Sequence, residues 1–182
     1  MKIRLSIIVF LALAFAGSTV AIAMPNVATV KWQRLVVSGT GLAIEMPGKA
    51  TKGEDLVIGG LHSVAYRLET GEIRAYSVRA EQMPRQQIAD EGVEALFDDI
   101  RDGLLADGTV RAEWSLKSGG GVAGRGIIID SGMKTGPDAY TLVAHLYLRD
   151  GWLYQVIATV PRGDEHDPVA RRFLASAHFV GK

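Results

Sequence analysis

The chain has 182 residues, no cysteine, and 20 basic against 20 acidic side chains. Without a thiol, disulfide exchange, thiol catalysis and cysteine metal sites are excluded. The even charge balance supplies neither the basic stripe that nucleic-acid binding needs nor a polybasic handle for anionic lipid.

Lys2 and Arg4 open the chain, an apolar run follows from Leu5 to Ala16 broken only by Ser6, and Ala21-Ile22-Ala23 closes the segment. A positive start, an apolar stretch and small residues one and three before a cut predict a signal peptide over residues 1–23, cleaved after Ala23. The apolar run is shorter than the roughly 20 residues that cross a bilayer, which argues against a retained anchor. A lipobox thiol is absent too, so no stable membrane anchor is expected after cleavage. Removing Lys2 and Arg4 leaves a formal charge of −2. The expected destination is a periplasm or the medium. Residues 24–182 are expected to form a single α+β domain.

Apolar runs predict mostly strands along the rest of the chain. Lys31–Val37 and Leu42–Met46 flank a turn at Ser38-Gly39-Thr40-Gly41, and Pro47-Gly48 stops the second strand. Lys49–Asp55 reads as a polar loop. Leu61–Leu68 and Glu72–Glu81 predict a hairpin across Glu69-Thr70-Gly71. Val93, Leu96, Phe97, Ile100 and Leu104 then recur at three- and four-residue steps, which predicts a helix from about Arg85 to Leu105. Four strands follow: Thr109–Lys117, Val122–Asp130, Ala139–Arg149 and Trp152–Val160, the last two joined by a tight turn at Asp150-Gly151. Asp167-Pro168 predicts the start of a second helix, because Asp is a good N-cap and Pro is tolerated at the first helical position. A short strand is expected at His178–Val180.

In Ala139–Arg149 one face carries Leu142, Ala144, Leu146 and Leu148, and the other carries Thr141, Val143, His145 and Tyr147. In Trp152–Val160 one face shows Trp152, Tyr154, Val156 and Val160, the other Leu153 and Ile157. Strands apolar on both faces are covered on both. The expected architecture is a mainly antiparallel sheet with the long helix on one face and the C-terminal helix, together with the N-terminal segment, on the other.

In this order of elements the chain resembles the PsbP-like α/β/α sandwich superfamily, named after the extrinsic P protein of photosystem II. Trp32 with Leu42-Ala43-Ile44-Glu45-Met46-Pro47 at the opening carries the likeness. So does Ala170-Arg171-Arg172-Phe173-Leu174-Ala175-Ser176-Ala177-His178-Phe179 at the close, where Ala177 stands in place of a common aromatic. The resemblance implies that these residues pack the fold. It also implies a non-catalytic accessory or assembly role, as in many members.

The chemistry-bearing groups form no motif. Gly119-Gly120-Gly121-Val122-Ala123-Gly124-Arg125-Gly126 runs into the strand residues Ile127-Ile128-Ile129, whereas a phosphate cradle needs a helix there. It reads as a hairpin loop and a glycine-weakened strand. His62, His145, His166 and His178 lack metal-ligand spacing. Asp164-Glu165-His166-Asp167 reads as a helix cap rather than a cation site. No serine sits in a nucleophile elbow or S-x-x-K pair. The expectation is an exported binding or accessory protein with no catalytic residue, cofactor or metal. Its partner would be an unspecified protein or small ligand. Arg125, Tyr140, His145 and Trp152 are the candidate contact residues. The alternatives are a hydrolase using His145 with a carboxylate from a neighbouring strand, and a structural subunit of an envelope complex.

Overall fold

The computed structural model describes residues 30–180 except 59, 72, 117–121 and 134–138. The predicted signal peptide with its cut after Ala23, and Gly119-Gly120-Gly121, lie outside the described residues.

Strand β1 (Gln33–Val36) turns back at Ser38–Thr40 into β2 (Leu42–Met46). The polar stretch expected to be loop contains a two-residue strand, β3 (Thr51–Lys52), and β4 (Leu56–Ile58) follows it. Both pair with β5 (Leu61–Glu69), so partner hydrogen bonds set these strands where the local pattern is too short to show them. Strand β6 (Ala75–Gln82) completes the expected hairpin with β5.

The helix expected from Arg85 to Leu105 is two helices, α1 (Arg85–Glu91) and α2 (Val93–Leu105). Gly92 breaks it with φ 79° and ψ 162°, outside helical space, and ends one helix while starting the next. The apolar stripe explains the asymmetry. Leu96, Phe97, Ile100 and Leu104 of α2 are buried, and α1 buries no residue.

Strands β7 (Thr109–Ser115), β8 (Ala123–Asp130), β9 (Tyr140–Arg149) and β10 (Trp152–Pro161) follow as antiparallel neighbours. Asp150 and Gly151 join the last two with φ 52° and 78°, the pair of positive values that a two-residue hairpin turn requires. Helix α3 (Pro168–Ala175) starts where Asp167 accepts hydrogen bonds from Val169 N at 2.7 Å and Ala170 N at 3.0 Å. The final strand, β11 (His178–Phe179), pairs with β2.

An eight-stranded antiparallel sheet runs β3-β5-β6-β10-β9-β8-β7 with β4 beside β5, and a three-stranded sheet runs β1-β2-β11. Buried side chains fall into two clusters. One joins α2 to Met83, Ile127, Ile129, Leu142, Ala144, Leu146, Leu148, Leu153 and Ile157. The other joins α3 and β2 to Val64, Tyr76, Val78, Val143, Tyr147, Tyr154, Val156 and Val160. Along β9 and β10 the two sets alternate, as period-2 side-chain direction demands. Among the described residues no helix is long and apolar enough to cross a membrane.

Candidate functional site

The candidate site is built around His145 by the register of three strands. Gly126 on β8 lies between Trp114 of β7 and His145 of β9, and Gly124 lies opposite Tyr147. A Cβ on Gly126 would stand 2.1 Å from Trp114 Cε2, so the indole lies directly on the β8 backbone. One on Gly124 would stand 3.1 Å from Tyr147 Cδ1 and 3.0 Å from Leu116 Cβ. The alternate glycines therefore form a trough, and aromatic side chains fill it.

A row of rings results. Trp114 meets His145 at 6.1 Å between centroids, His145 meets Tyr147 at 6.2 Å, Tyr147 meets Phe179 at 5.7 Å, and Phe179 meets Tyr154 at 5.1 Å. Each contact is edge-on, the arrangement favoured by the ring quadrupole. Arg149 caps the row with its guanidinium 5.1 Å from the Phe179 centroid. The row runs from surface to core, since Trp114 is 38% exposed, Tyr147 7% and Tyr154 1%. The Tyr154 hydroxyl donates to the Thr40 carbonyl at 2.7 Å, which ties the β1–β2 turn to the large sheet.

His145 has two polar neighbours here. Its Nδ1 lies 3.3 Å from Tyr147 Oη, and the Leu174 backbone also hydrogen-bonds to it. Leu174 is in the last turn of α3, where carbonyls lack an intrahelical acceptor role. Ser176 covers the adjacent Phe173 carbonyl with its hydroxyl at 2.7 Å, so imidazole and serine share the capping of this end. Burial pushes His145 down to about 4, against the pull of the Leu174 carbonyl in the other direction. Burial likewise pushes the Tyr147 phenol up to about 12. Both groups are therefore neutral at ordinary pH. Among the described residues His145 forms no hydrogen bond to a carboxylate, so the acid–base couple of the hydrolase alternative is not assembled.

The other sequence candidates are held in place by the fold. Arg125 is 12% exposed and pairs with Glu94, with Asp98 at 2.6 Å and with Glu113 at 3.5 Å. Its guanidinium also stands 5.5 Å from the Phe97 centroid, so it fastens α2 to β7 and β8. Asp98 is held below the usual carboxylate range by the hydrogen bond from Arg125. Tyr140 is half-buried against the α2 cluster, and burial raises its phenol. Trp152 is half-buried against the α3 cluster. These four candidates are not brought together. Around the acidic run, Asp167 caps α3 while Arg74 reaches Asp164 at 2.6 Å and Asp167 at 3.4 Å. Arg111 reaches Glu165 at 3.0 Å. No group of three or more His, Cys, Asp or Glu able to hold a metal ion is present among the described residues.

One polar strip escaped the sequence reading. Gln155 shares a strand face with Leu153 and Ile157 yet is 3% exposed, and its Nε2 has no hydrogen-bond partner. It stands opposite Arg79 on β6. The Arg79 Nε donates to Ser63 Oγ at 3.3 Å, and its guanidinium lies 3.4 Å from Glu81. The alternation Ser77-Arg79-Glu81 against Tyr76-Val78-Ala80 carried the signal.

No family model matches the chain, and no curated protein matches it. Solved structures do. The solution structure of cyanobacterial PsbP (CyanoP) from Synechocystis sp. PCC 6803 is similar at a TM-score of 0.57 and 14% identity, covering 90% of this chain and 98% of that one. A protein of unknown function from Pseudomonas aeruginosa, PA94, described as a putative regulator, aligns at a TM-score of 0.45 and 12% identity, over 83% of this chain and 97% of its own. The likeness to CyanoP extends over nearly the whole of both chains, and the fold of this chain is PsbP-like.

Proposed function

We propose that this chain is an exported, non-catalytic binding or accessory protein of the cell envelope. Residues 1–23 direct it to a periplasm or the medium, and one α+β domain from residue 24 does the work. In this reading the sheet is covered by α2 on one face and by α3 with the β1-β2-β11 sheet on the other. The observation that carries the proposal is the engagement of His145. The residue most suited to acid–base chemistry is neutral, half-buried, and spent on a phenol and a helix-end carbonyl. Catalysis by a histidine needs a nucleophile or reacting group within its reach, and among the described residues its side-chain hydrogen-bond partner is the Tyr147 phenol alone. The fold is shared with cyanobacterial PsbP, and since a fold alone makes no enzyme, the reading rests on the side chains around His145.

The polar strip of Ser63, Arg79, Glu81 and Gln155 is the contact surface we assign to its partner or ligand, because it holds a buried amide with unused hydrogen-bonding capacity. A photo-crosslinking residue placed at position 79 in cells tests the reading. A specific adduct in the envelope fraction is expected, with mature protein beginning at residue 24. A hydrolytic activity abolished by His145→Gln in a folded protein would overturn it.

A further inference from the structure

The aromatic row does something that close packing alone does not require. Its outer end is an exposed indole and its inner members are buried phenols. Between them His145 turns Nδ1 toward the Tyr147 hydroxyl at 3.3 Å. A neutral imidazole has one N–H and one lone pair. In the tautomer that gives its N–H to the Leu174 carbonyl, which can only accept, the lone pair at Nδ1 faces the phenol. The Tyr147 O–H thus has a built-in proton acceptor, in a setting that keeps the imidazole unprotonated.

Indole and phenol are the most readily oxidised side chains in a protein without cysteine. A phenol loses an electron far more easily when its proton can leave with it, because the phenol radical cation is a strong acid. We propose that Trp114, His145 and Tyr147 form a one-electron relay that carries oxidation from a diffusible one-electron oxidant at the surface to Tyr147. The oxidant takes one electron from the Trp114 indole and is reduced. Tyr147 then returns one electron to the indole radical cation, its O–H bond breaks, and the proton forms an N–H bond at His145 Nδ1. The products are the reduced oxidant, restored Trp114, a neutral tyrosyl radical and an imidazolium. The imidazolium is held by the Leu174 carbonyl at the C-terminal end of α3, where the helix dipole favours positive charge. The alternate glycines belong to this arrangement. Gly126 is what lets the indole lie on β8 close enough to meet His145 edge-on. Tyr147 then lies against Phe179, beyond which Tyr154 offers a second buried phenol.

The relay is tested by pulse radiolysis of the purified protein with azide radical, a one-electron oxidant that attacks indole in preference. Optical detection follows the indole radical and the tyrosyl radical, and freeze-quenched electron paramagnetic resonance identifies the latter. In the native protein the indole signal should decay as the tyrosyl signal rises, at a rate independent of protein concentration. Tyr147→Phe keeps the ring and removes only the hydroxyl, and should abolish that phase. Tyr140→Phe should leave it intact. His145→Gln should slow it by about tenfold or more, the effect of a barrier raised by about 1.4 kcal/mol. If that variant fails to fold, the rate of the native protein in D2O replaces it, where transfer coupled to proton motion must slow. A tyrosyl yield unchanged in Tyr147→Phe, a rate proportional to protein concentration, or a rate unaffected by both His145→Gln and D2O overturns the proposal.

Discussion

The two buried clusters are made of different material. The one under α2 is almost wholly aliphatic, with Phe97 as its large ring among Leu, Ile, Met and Ala. The one under α3 contains Tyr76, Tyr147, Tyr154 and Phe173, and draws in Trp32, Trp152 and Phe179 at its margin. Aliphatic side chains hold by area and volume alone, with no preferred angle of contact. Rings with hydroxyls must also place a polar atom, and each buried phenol of the aromatic row has done so, Tyr154 on the Thr40 carbonyl and Tyr147 on His145. The first cluster is therefore a fastening for a helix. The second fixes the mutual placement of β1–β2, α3, β11 and the main sheet through directional contacts.

Breaking the aliphatic side should be the more costly. Phe97 is 1% exposed and central to α2. Phe97→Ala should lower unfolding free energy by about 3–5 kcal/mol in urea titration, with helix content falling in parallel. The aromatic side should instead be revealed by acid. An ordinary imidazole titrates near 6.5 and His145 in the fold at about 4. Between those values the unfolded chain binds a proton that the folded chain does not, so stability falls as pH drops from 6.5 toward 4 and levels off below. The full effect is on the order of 3 kcal/mol. Unfolding measured at pH 7 and pH 4 should show that slope in the native protein and a flatter one in His145→Gln.

A smaller effect separates the trough from ordinary strand packing. Gly126→Ala places a methyl where the Trp114 ring lies. A loss of about 1–3 kcal/mol is expected, with the tryptophan emission shifting to the red as the indole is expelled. Adding Trp114→Ala should recover much of that loss, since the two side chains compete for one space. Smallest of all is the ion-pair clamp. Asp98 is 47% exposed even though Arg125 is 12% exposed, so Asp98→Asn should cost about 0.5–1 kcal/mol, and less in high salt.

Much of the fold could be read locally. β2 was legible because Gly41 and Pro47 bracket an uninterrupted apolar run, and the β9–β10 turn because Asp150-Gly151 accepts positive φ. Asp167-Pro168 announced α3 for an equally local reason. Gly92 was not legible, since a glycine beside a helical stripe signals only a cost until its φ is known. β3 and β4 depend on β5 for their hydrogen bonds, and two or three residues carry no period of their own. The candidate site was the least legible. His145 was singled out, but its partners arrive from β7, β8, α3 and β11. Only strand register shows that Gly126 stands between it and Trp114. The i, i+2 spacing of Gly124 and Gly126 was the available sign, and it reads as weakness until the ring that fills it is found.

The pairing of β11 with β2 has a consequence for the order of events in synthesis. Leu42 and Ala43 hydrogen-bond into a strand made of residues 178 and 179. The small sheet cannot close until almost the whole described chain has left the ribosome, and contacts of such long separation are slow to form. Phe179 also supplies the ring between Tyr147 and Tyr154, so the aromatic row is completed at the same late moment.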